Sequence, residues 1–394
     1  MTPVKNWCYS NEEWQLCRAF WGVHSGIMQL PILKNTSCSL LQRKESWMEM
    51  KAEIVAMTAE AIDKEAIARG GEILKRGGLV AFPTETVYGL GGNALDPMAS
   101  KKIYAAKGRP SDNPLIVHIA EMEALAPIVK SVPEKAKILA KKFWPGPLTM
   151  IFEKSDLVPL ETTGGLESVA VRFPSDPIAA ALILASSGYV AAPSANTSGR
   201  PSPTTAQHVE EDLGDAIDMI IDGGPVGIGL ESTIVDVPVV LRPGYISLEM
   251  LQEVLGDVRM DKGLIKPDSN IRPKAPGMKY RHYAPKADLA IVEGPTEEVI
   301  KAINQFVKED AANGLQSGII ATEETISQYP DGIVKCIGSR AAEETIAHNL
   351  FAVLREFDDL GVDYIYSESF SRDHLGQAIM NRLTKAAGYH VIHV

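Results

Sequence analysis

Cysteine is scarce in these 394 residues: only Cys8, Cys17, Cys38 and Cys336 occur, and only the last lies beyond residue 50. No CxxC or paired Cys/His spacing is present, which argues against a structural zinc. A chain of this length needs no disulfide staples. No run of 18 apolar residues occurs, which argues against a simple transmembrane span. The N-terminus lacks a charged region followed by an apolar stretch, so the chain reads as cytoplasmic. The common catalytic and nucleotide motifs are missing too: no GxxxxGK[ST], GxGxxG, HExxH or GxSxG. An excess of positive charge is also lacking, with 39 Lys and Arg against 50 Asp and Glu, for a net charge of −11. Such a balance repels nucleic acid on average, so any phosphate site must be a local cluster.

One such cluster exists. Lys101, Lys102, Lys107 and Arg109 fall within nine residues that hold no acid. They end the stretch "DPMASKKIYAAKG", whose Asp cap, Pro and Gly stop predict a helix over 96–108. The strand "LIVHI" at 115–119 follows. Further strands are expected at 79–83, 148–153, 168–173, 189–192, 217–222 and 231–241. Helices are expected at 58–78, 134–143, 176–186, 204–213 and 247–255. Strands and helices mix without strict alternation, which predicts an α/β fold on a twisted mixed sheet. Residues 257–286 are rich in Pro, Lys and Arg and read as a linker. Strand–helix alternation resumes after it and predicts a smaller, Rossmann-like parallel α/β domain over 287–394. The expected organisation is thus an extension at 1–50, a catalytic domain at 55–256, the linker, and the C-terminal domain. The extension holds four of the five tryptophans, and Trp7, Trp14 and Trp21 are spaced for one face of a short helix.

Polar loops of high Gly/Pro density close several apolar strands, which is where α/β proteins build sites. "FPTETVYGLGGNA" (82–94) brings Thr86. "KGRPSDNP" (107–114) brings Lys107, Arg109 and Asn113. "VRFP" (171–174) brings Arg172, "APSANTSGRPSPT" (192–204) brings Ala192, Ser194, Asn196 and Ser202, "GLESTIVDV" (229–237) brings Ser232, and "LRPG" (241–244) brings Arg242. Taken singly, most of these have plain structural readings. Ser and Thr form turns, Lys107 complements a helix C-terminus, and His118, alternating with apolar residues, reads as a core histidine. Arg109 is harder to dismiss, because Pro110 fixes its loop and a rigid guanidinium suits phosphate.

Together and in this order, these motifs closely resemble threonylcarbamoyl-AMP synthase in its long two-domain form. "PGMKYRHYAP" in the linker and "LGQAIMNRLTKAAG" near the C-terminus extend the resemblance over about 58–394. The resemblance implies a YrdC-like catalytic domain around a deep basic groove. It also implies synthesis of threonylcarbamoyl-AMP from L-threonine, bicarbonate and ATP, with release of pyrophosphate and with Mg²⁺ accompanying ATP. The family's KxR pair falls on Lys107 and Arg109 and its SxN pair on Ser194 and Asn196, as the catalytic set. Arg109, Asn113, Ser168, Ala192, Ser194, Ser202, Arg242 and Tyr283 match ATP positions. Thr86, His118, Arg172 and Ser232 match threonine positions, which turns His118 from the core toward substrate. No protein ligand for a metal is implied. The implied partner is a threonylcarbamoyl transferase that modifies the adenosine beside the tRNA anticodon, with weak RNA contact and no membrane.

Two other readings stand beside this one. An RNA-binding module is disfavoured by the net charge. A carbamoyl transferase using carbamoyl phosphate is disfavoured by the lack of upstream zinc-finger cysteine pairs.

Overall fold

The computed structural model describes residues 51–261 and 282–394. The expected tryptophan helix and most of the expected linker lie outside the described residues. Residues 51–394 form one compact unit.

Its larger sheet has eleven strands: β1 (Glu53–Ala56), β2 (Val80–Phe82), β3 (Gly89–Asn93), β4 (Ile116–His118), β5 (Leu148–Glu153), β6 (Ser168–Arg172), β7 (Val190–Ala191), β8 (Met219–Asp222), β9 (Thr233–Asp236), β10 (Val239–Arg242) and β11 (Arg259–Met260). Their order is β1-β8-β2-β3-β7-β4-β6-β5-β9-β10-β11. The sheet is mixed: β4 and β6 run parallel, while β5 and β6, and β2 and β3, run antiparallel. Helices α1 (Lys64–Lys75), α2 (Pro97–Lys107), α3 (Leu125–Ile128), α4 (Glu134–Phe143), α5 (Pro177–Ala185), α6 (Ala206–Leu213) and α7 (Leu248–Leu255) accompany it.

The second sheet, order β14-β13-β15-β12-β16, pairs its strands in parallel throughout. These are β12 (Asp288–Glu293), β13 (Ser317–Ala321), β14 (Ile333–Cys336), β15 (Tyr364–Glu368) and β16 (Val391–His393), with helices α8 (Thr296–Ala312), α9 (Glu343–Leu360) and α10 (His374–Ala386). The two halves share apolar packing, for Val87 and Leu230 join a core cluster with Leu350, Phe351 and Leu383.

Local signals explain most of these elements. Asp96 Oδ1 accepts from the Met98 N–H at 2.8 Å, and Gly108 ends α2 in the left-handed region at φ 59°, where glycine carries no Cβ penalty. Three expectations need correction, and one strand was not expected. The first helix begins after Asp63, whose carboxylate accepts from the Glu65 and Ala66 N–H groups, and not at Thr58. The strand expected at 231–241 is an antiparallel hairpin of β9 and β10 with Pro238 between them. "GLGGN" is strand β3 and not a loop. A Cβ on Gly91 would meet Phe82 and Val190 at 2.9 Å, so glycine there admits close packing and not a turn. The terminal strand β16 carries too short an apolar run to be recognised.

Candidate functional site

A cleft opens beside the larger sheet. All the expected site residues line it except Asn113 and Ser168.

One wall stands on strands. His118 ends β4 and is paired in register with Arg172, which ends β6 and faces Thr149 on β5. Cross-strand partners project to the same face, so Thr149, Arg172 and His118 form a row. Ser232, just before β9, extends it, with its Oγ 2.8 Å from Thr149 Oγ1. Arg172 is buried, and its Nη2 lies 2.9 Å from Glu85 Oε2 and 3.5 Å from Thr84 Oγ1. Its Nε is buried without a hydrogen-bond partner. Thr86 is held by Thr84, the two hydroxyls lying 2.9 Å apart. His118 Nδ1 donates to the Ile116 carbonyl at 3.1 Å. Burial first, and the Arg172 charge second, push the His118 pKa down to about 3, so the ring is neutral at physiological pH. His118 is therefore buried, as its apolar neighbours suggested, yet it stands beside Arg172 in the wall of the cleft.

The other wall stands on loops, and its residues hold one another. Lys107 Nζ donates to the Ser194 carbonyl at 2.5 Å, to Asn196 Oδ1 at 3.4 Å, and to the Asn196 carbonyl. An ammonium has three protons, so this geometry engages Lys107 with the 194–196 loop. Burial, reinforced by Arg109, lowers its pKa. Asn196 Oδ1 accepts from Ser194 Oγ at 2.6 Å, and its amide donates to the Thr197 and Arg200 carbonyls at 2.8 and 2.9 Å. Arg109 is anchored by the Asn113 and Pro114 carbonyls at 3.2 and 3.1 Å. Asn113 thus stands behind Arg109, buried, with its Oδ1 unpartnered. Arg242 donates to the Ser232 carbonyl from Nε at 3.1 Å and Nη2 at 2.9 Å. Burial lowers the Arg242 pKa to about 10. Ala192 and Tyr283 complete the lining. Tyr283 has φ 65° and stacks on Phe351 with centroids 5.1 Å apart.

Ser168 is the clearest departure. It begins β6, opposite Glu153, four residues before Arg172, and lines a separate surface cavity with Ser131 and Pro133. A strand rises about 3.3 Å per residue, so it sits roughly 13 Å along the strand from the row.

Sequence reasoning placed Glu85 in the 82–94 loop without a role and missed Glu231. Glu231 is the one carboxylate among the described residues lining the cleft. Ser202 Oγ donates to its Oε1 at 2.5 Å and Arg382 Nε to its Oε2 at 3.0 Å. Its place inside "GLESTIVD" was the available signal, but a lone Glu next to Ser reads as solvated surface. The same two bonds bear on a metal. A hard divalent cation held by protein wants one or more available carboxylates, and both oxygens of this one are engaged. The described residues contain no group of three or more potential ligands. The wall therefore does not form a metal cage, and no step is assigned to a protein-held ion. Among the described residues no helix is long and apolar enough to cross a membrane.

Residues 72–244 match the family described as "Telomere recombination", and residues 246–388 match "Threonylcarbamoyl-AMP synthase, C-terminal domain". The chain is 53% identical over 319 residues to the threonylcarbamoyl-AMP synthase of Bacillus subtilis, covering 80% of this chain and 90% of that protein. It is 50% identical over 322 residues to the Pyrococcus abyssi threonylcarbamoyl-AMP synthase, covering 81% and 93%. A crystal structure of P. abyssi Sua5 complexed with L-threonine superposes with a TM-score of 0.82 at 47% identity, covering 86% of this chain and 99% of that one.

Proposed function

Because the chain belongs to the threonylcarbamoyl-AMP synthase family, in its long two-domain form, and is an enzyme of the nucleotidyltransferase type, we propose that it joins L-threonine, bicarbonate and ATP into threonylcarbamoyl-AMP and releases pyrophosphate. The observation that carries this reading is the meeting, in one cleft, of the strand row with the Lys107–Ser194–Asn196 loop and Arg109.

Bicarbonate takes up a proton and loses one water to give carbon dioxide. The neutral threonine amine adds to its carbon and gives up a proton, so that a carbamate forms. The carbamate oxygen forms a bond to the α-phosphorus of ATP, and the bond from that phosphorus to the bridging oxygen breaks. The electron pair leaves with pyrophosphate. The protein's part in such a transfer is positioning and charge neutralisation. Arg172 receives the threonine carboxylate, since its Nε is buried without a partner and an arginine fork suits a planar anion. Neutral His118 offers a hydrogen bond without adding charge. Thr86 and Ser232 meet the remaining polar atoms of threonine. A site built to bond a hydroxyl rejects analogues that lack it, so valine is a poor substrate. Arg109, Ser194 and Ser202 face the nucleotide, with Ala192 and Tyr283 against it.

Lys107 and Asn196 act in this reading by building the loop that carries Ser194. Arg242 acts by bracing Ser232, and Asn113 by anchoring Arg109. Ser168 has no part. Any magnesium travels with ATP as substrate.

The product is a reactive mixed anhydride, and a transferase that passes its acyl group to a tRNA adenosine is the proposed consumer. The test is mass detection of threonylcarbamoyl-AMP from ATP, threonine and bicarbonate, together with pyrophosphate release. Pyrophosphate release that does not depend on threonine would overturn the proposal.

A further inference from the structure

The C-terminal half braces the loop wall from behind with two buried arginines. Arg355 donates to the Pro201 carbonyl at 2.8 Å, and Arg382 alone of the two bonds to a carboxylate of the cleft lining. Arg382, on α10, has no exposed surface. Besides the bond from Nε to Glu231 Oε2, its Nη2 donates to the Glu231 carbonyl at 3.3 Å and its Nη1 to the Pro243 carbonyl at 2.5 Å. All its named acceptors but its neighbour Asn381 lie in the other half of the molecule. Its guanidinium also lies 6.0 Å from the centroid of the Tyr283 ring, within cation–π reach. Arg382 thus touches two residues of the cleft wall, Glu231 and Tyr283, without lining the cleft itself.

The chemistry of the wall gives this arrangement a purpose. A buried carboxylate beside a polyphosphate repels it, strongly so where water is excluded. Glu231 is held as an ion all the same. Burial would push its carboxyl up, but Arg382, Arg242 and the Ser202 hydroxyl outweigh burial and hold it at about 2. The carboxylate also fixes the Ser202 hydroxyl, which donates to Oε1 and so turns its oxygen lone pairs elsewhere.

We propose that Arg382 is a positioning residue for the nucleotide. It cancels the negative charge of Glu231 in the cleft wall and, through that carboxylate, aims the Ser202 hydroxyl. The C-terminal domain thereby belongs to the ATP site although none of its own side chains from β12 onward lines the cleft. The inference rests on the reading that ATP occupies the Ser202 side.

The full chain is tested by ATP titration calorimetry and by separate KM values for ATP and threonine in the pyrophosphate assay. Removing one partner of a buried charge pair is a large perturbation, so Arg382→Met weakens ATP binding and raises its KM by about tenfold or more, with the threonine KM within about twofold. Arg382→Lys keeps the charge but not the fork, and recovers part of the loss. Arg340→Met is the structural control. Arg340 pairs with the buried Glu368 at 2.5 Å inside the C-terminal domain, so its loss lowers Tm and leaves both KM values within about twofold. Where Arg382→Met does not fold, Arg382→Lys decides: it keeps the charge beside Glu231 but loses the forked bonds that aim the carboxylate, and it still raises the ATP KM by a few-fold. Unchanged ATP affinity in the folded variants overturns the proposal. So does an equal rise in both KM values, or the same ATP defect in Arg340→Met. A wild-type chain that binds ATP but makes no threonylcarbamoyl-AMP defeats the functional reading alone, and the calorimetry still decides the role of Arg382.

Discussion

The two walls of the cleft are built differently. Thr149, Arg172 and His118 occupy consecutive strands in register, so their spacing is set by sheet hydrogen bonds that exist without any ligand. Ser194, Asn196, Ser202 and Glu231 stand on loops, and their positions depend on Lys107 within the same half and Arg382 from the other half. A site on strands is positioned by the fold itself, whereas a site on loops needs a supporting shell of buried hydrogen bonds. In the proposed reaction the strand wall takes the small amino acid. The loop wall takes the long, highly charged nucleotide in that reaction, and it has the second domain behind it.

The contrast breaks most directly at Arg172. Arg172→Ala lowers kcat/KM for threonine by about a thousandfold and leaves the ATP KM within about threefold, because a buried charge partner is lost on one wall alone. Equal loss toward both substrates, in steady-state kinetics, would mean the walls do not act separately. Lys107→Met has the opposite pattern. It removes the ammonium that holds the 194–196 loop, and kcat/KM for ATP falls by about a hundredfold. Urea denaturation then checks that the fold persists.

Gly229→Ala tests the join between the halves. Gly229 has φ 82°, and a Cβ there would lie 2.5 Å from the His348 carbonyl on α9. Backbone strain and clash together cost about 2–4 kcal/mol in a denaturant titration. Unchanged stability would show that the halves separate readily.

His118 sharpens the account of the strand wall through pH. Its pKa falls from 6.5 unfolded to about 3 folded, so below pH 6.5 the unfolded chain binds a proton that the folded chain refuses. Stability is therefore full above pH 6.5 and declines as pH drops toward 3, by a few kcal/mol. His118→Gln flattens that part of the curve of stability against pH, and an unaltered slope would place the effect elsewhere. The smallest effect is expected at Ser168. Ser168→Ala changes neither KM by more than about twofold, because Ser168 lies some four residues along β6 from the row. A rise in the ATP KM would return it to the site.

Legibility in the sequence followed the range of the interactions. Helix α2 was readable to its ends because Asp96, Pro97 and Gly108 act within a few residues of themselves. Strand β3 was not, because its glycines fit neighbours Phe82 and Val190 that only the sheet brings close. The site residues were legible as motifs, and the direction of their side chains was not. Lys107 reads as a phosphate ligand in "KGRP", yet it points to carbonyls 87 and 89 residues away. Glu231 reads as an ordinary surface acid until Arg382, 151 residues later, closes on it.

The sequence by itself determined the two-part α/β pattern, the family, and the stretches that meet at the cleft, because turns, caps and motifs are local. The tertiary structure alone decided that His118 is both buried and beside Arg172, that Ser168 faces another surface, and that the C-terminal domain braces the loop wall through Arg355 and Arg382. Burial, register and ion pairing are properties of atoms far apart in the chain, and no short stretch of residues carries them.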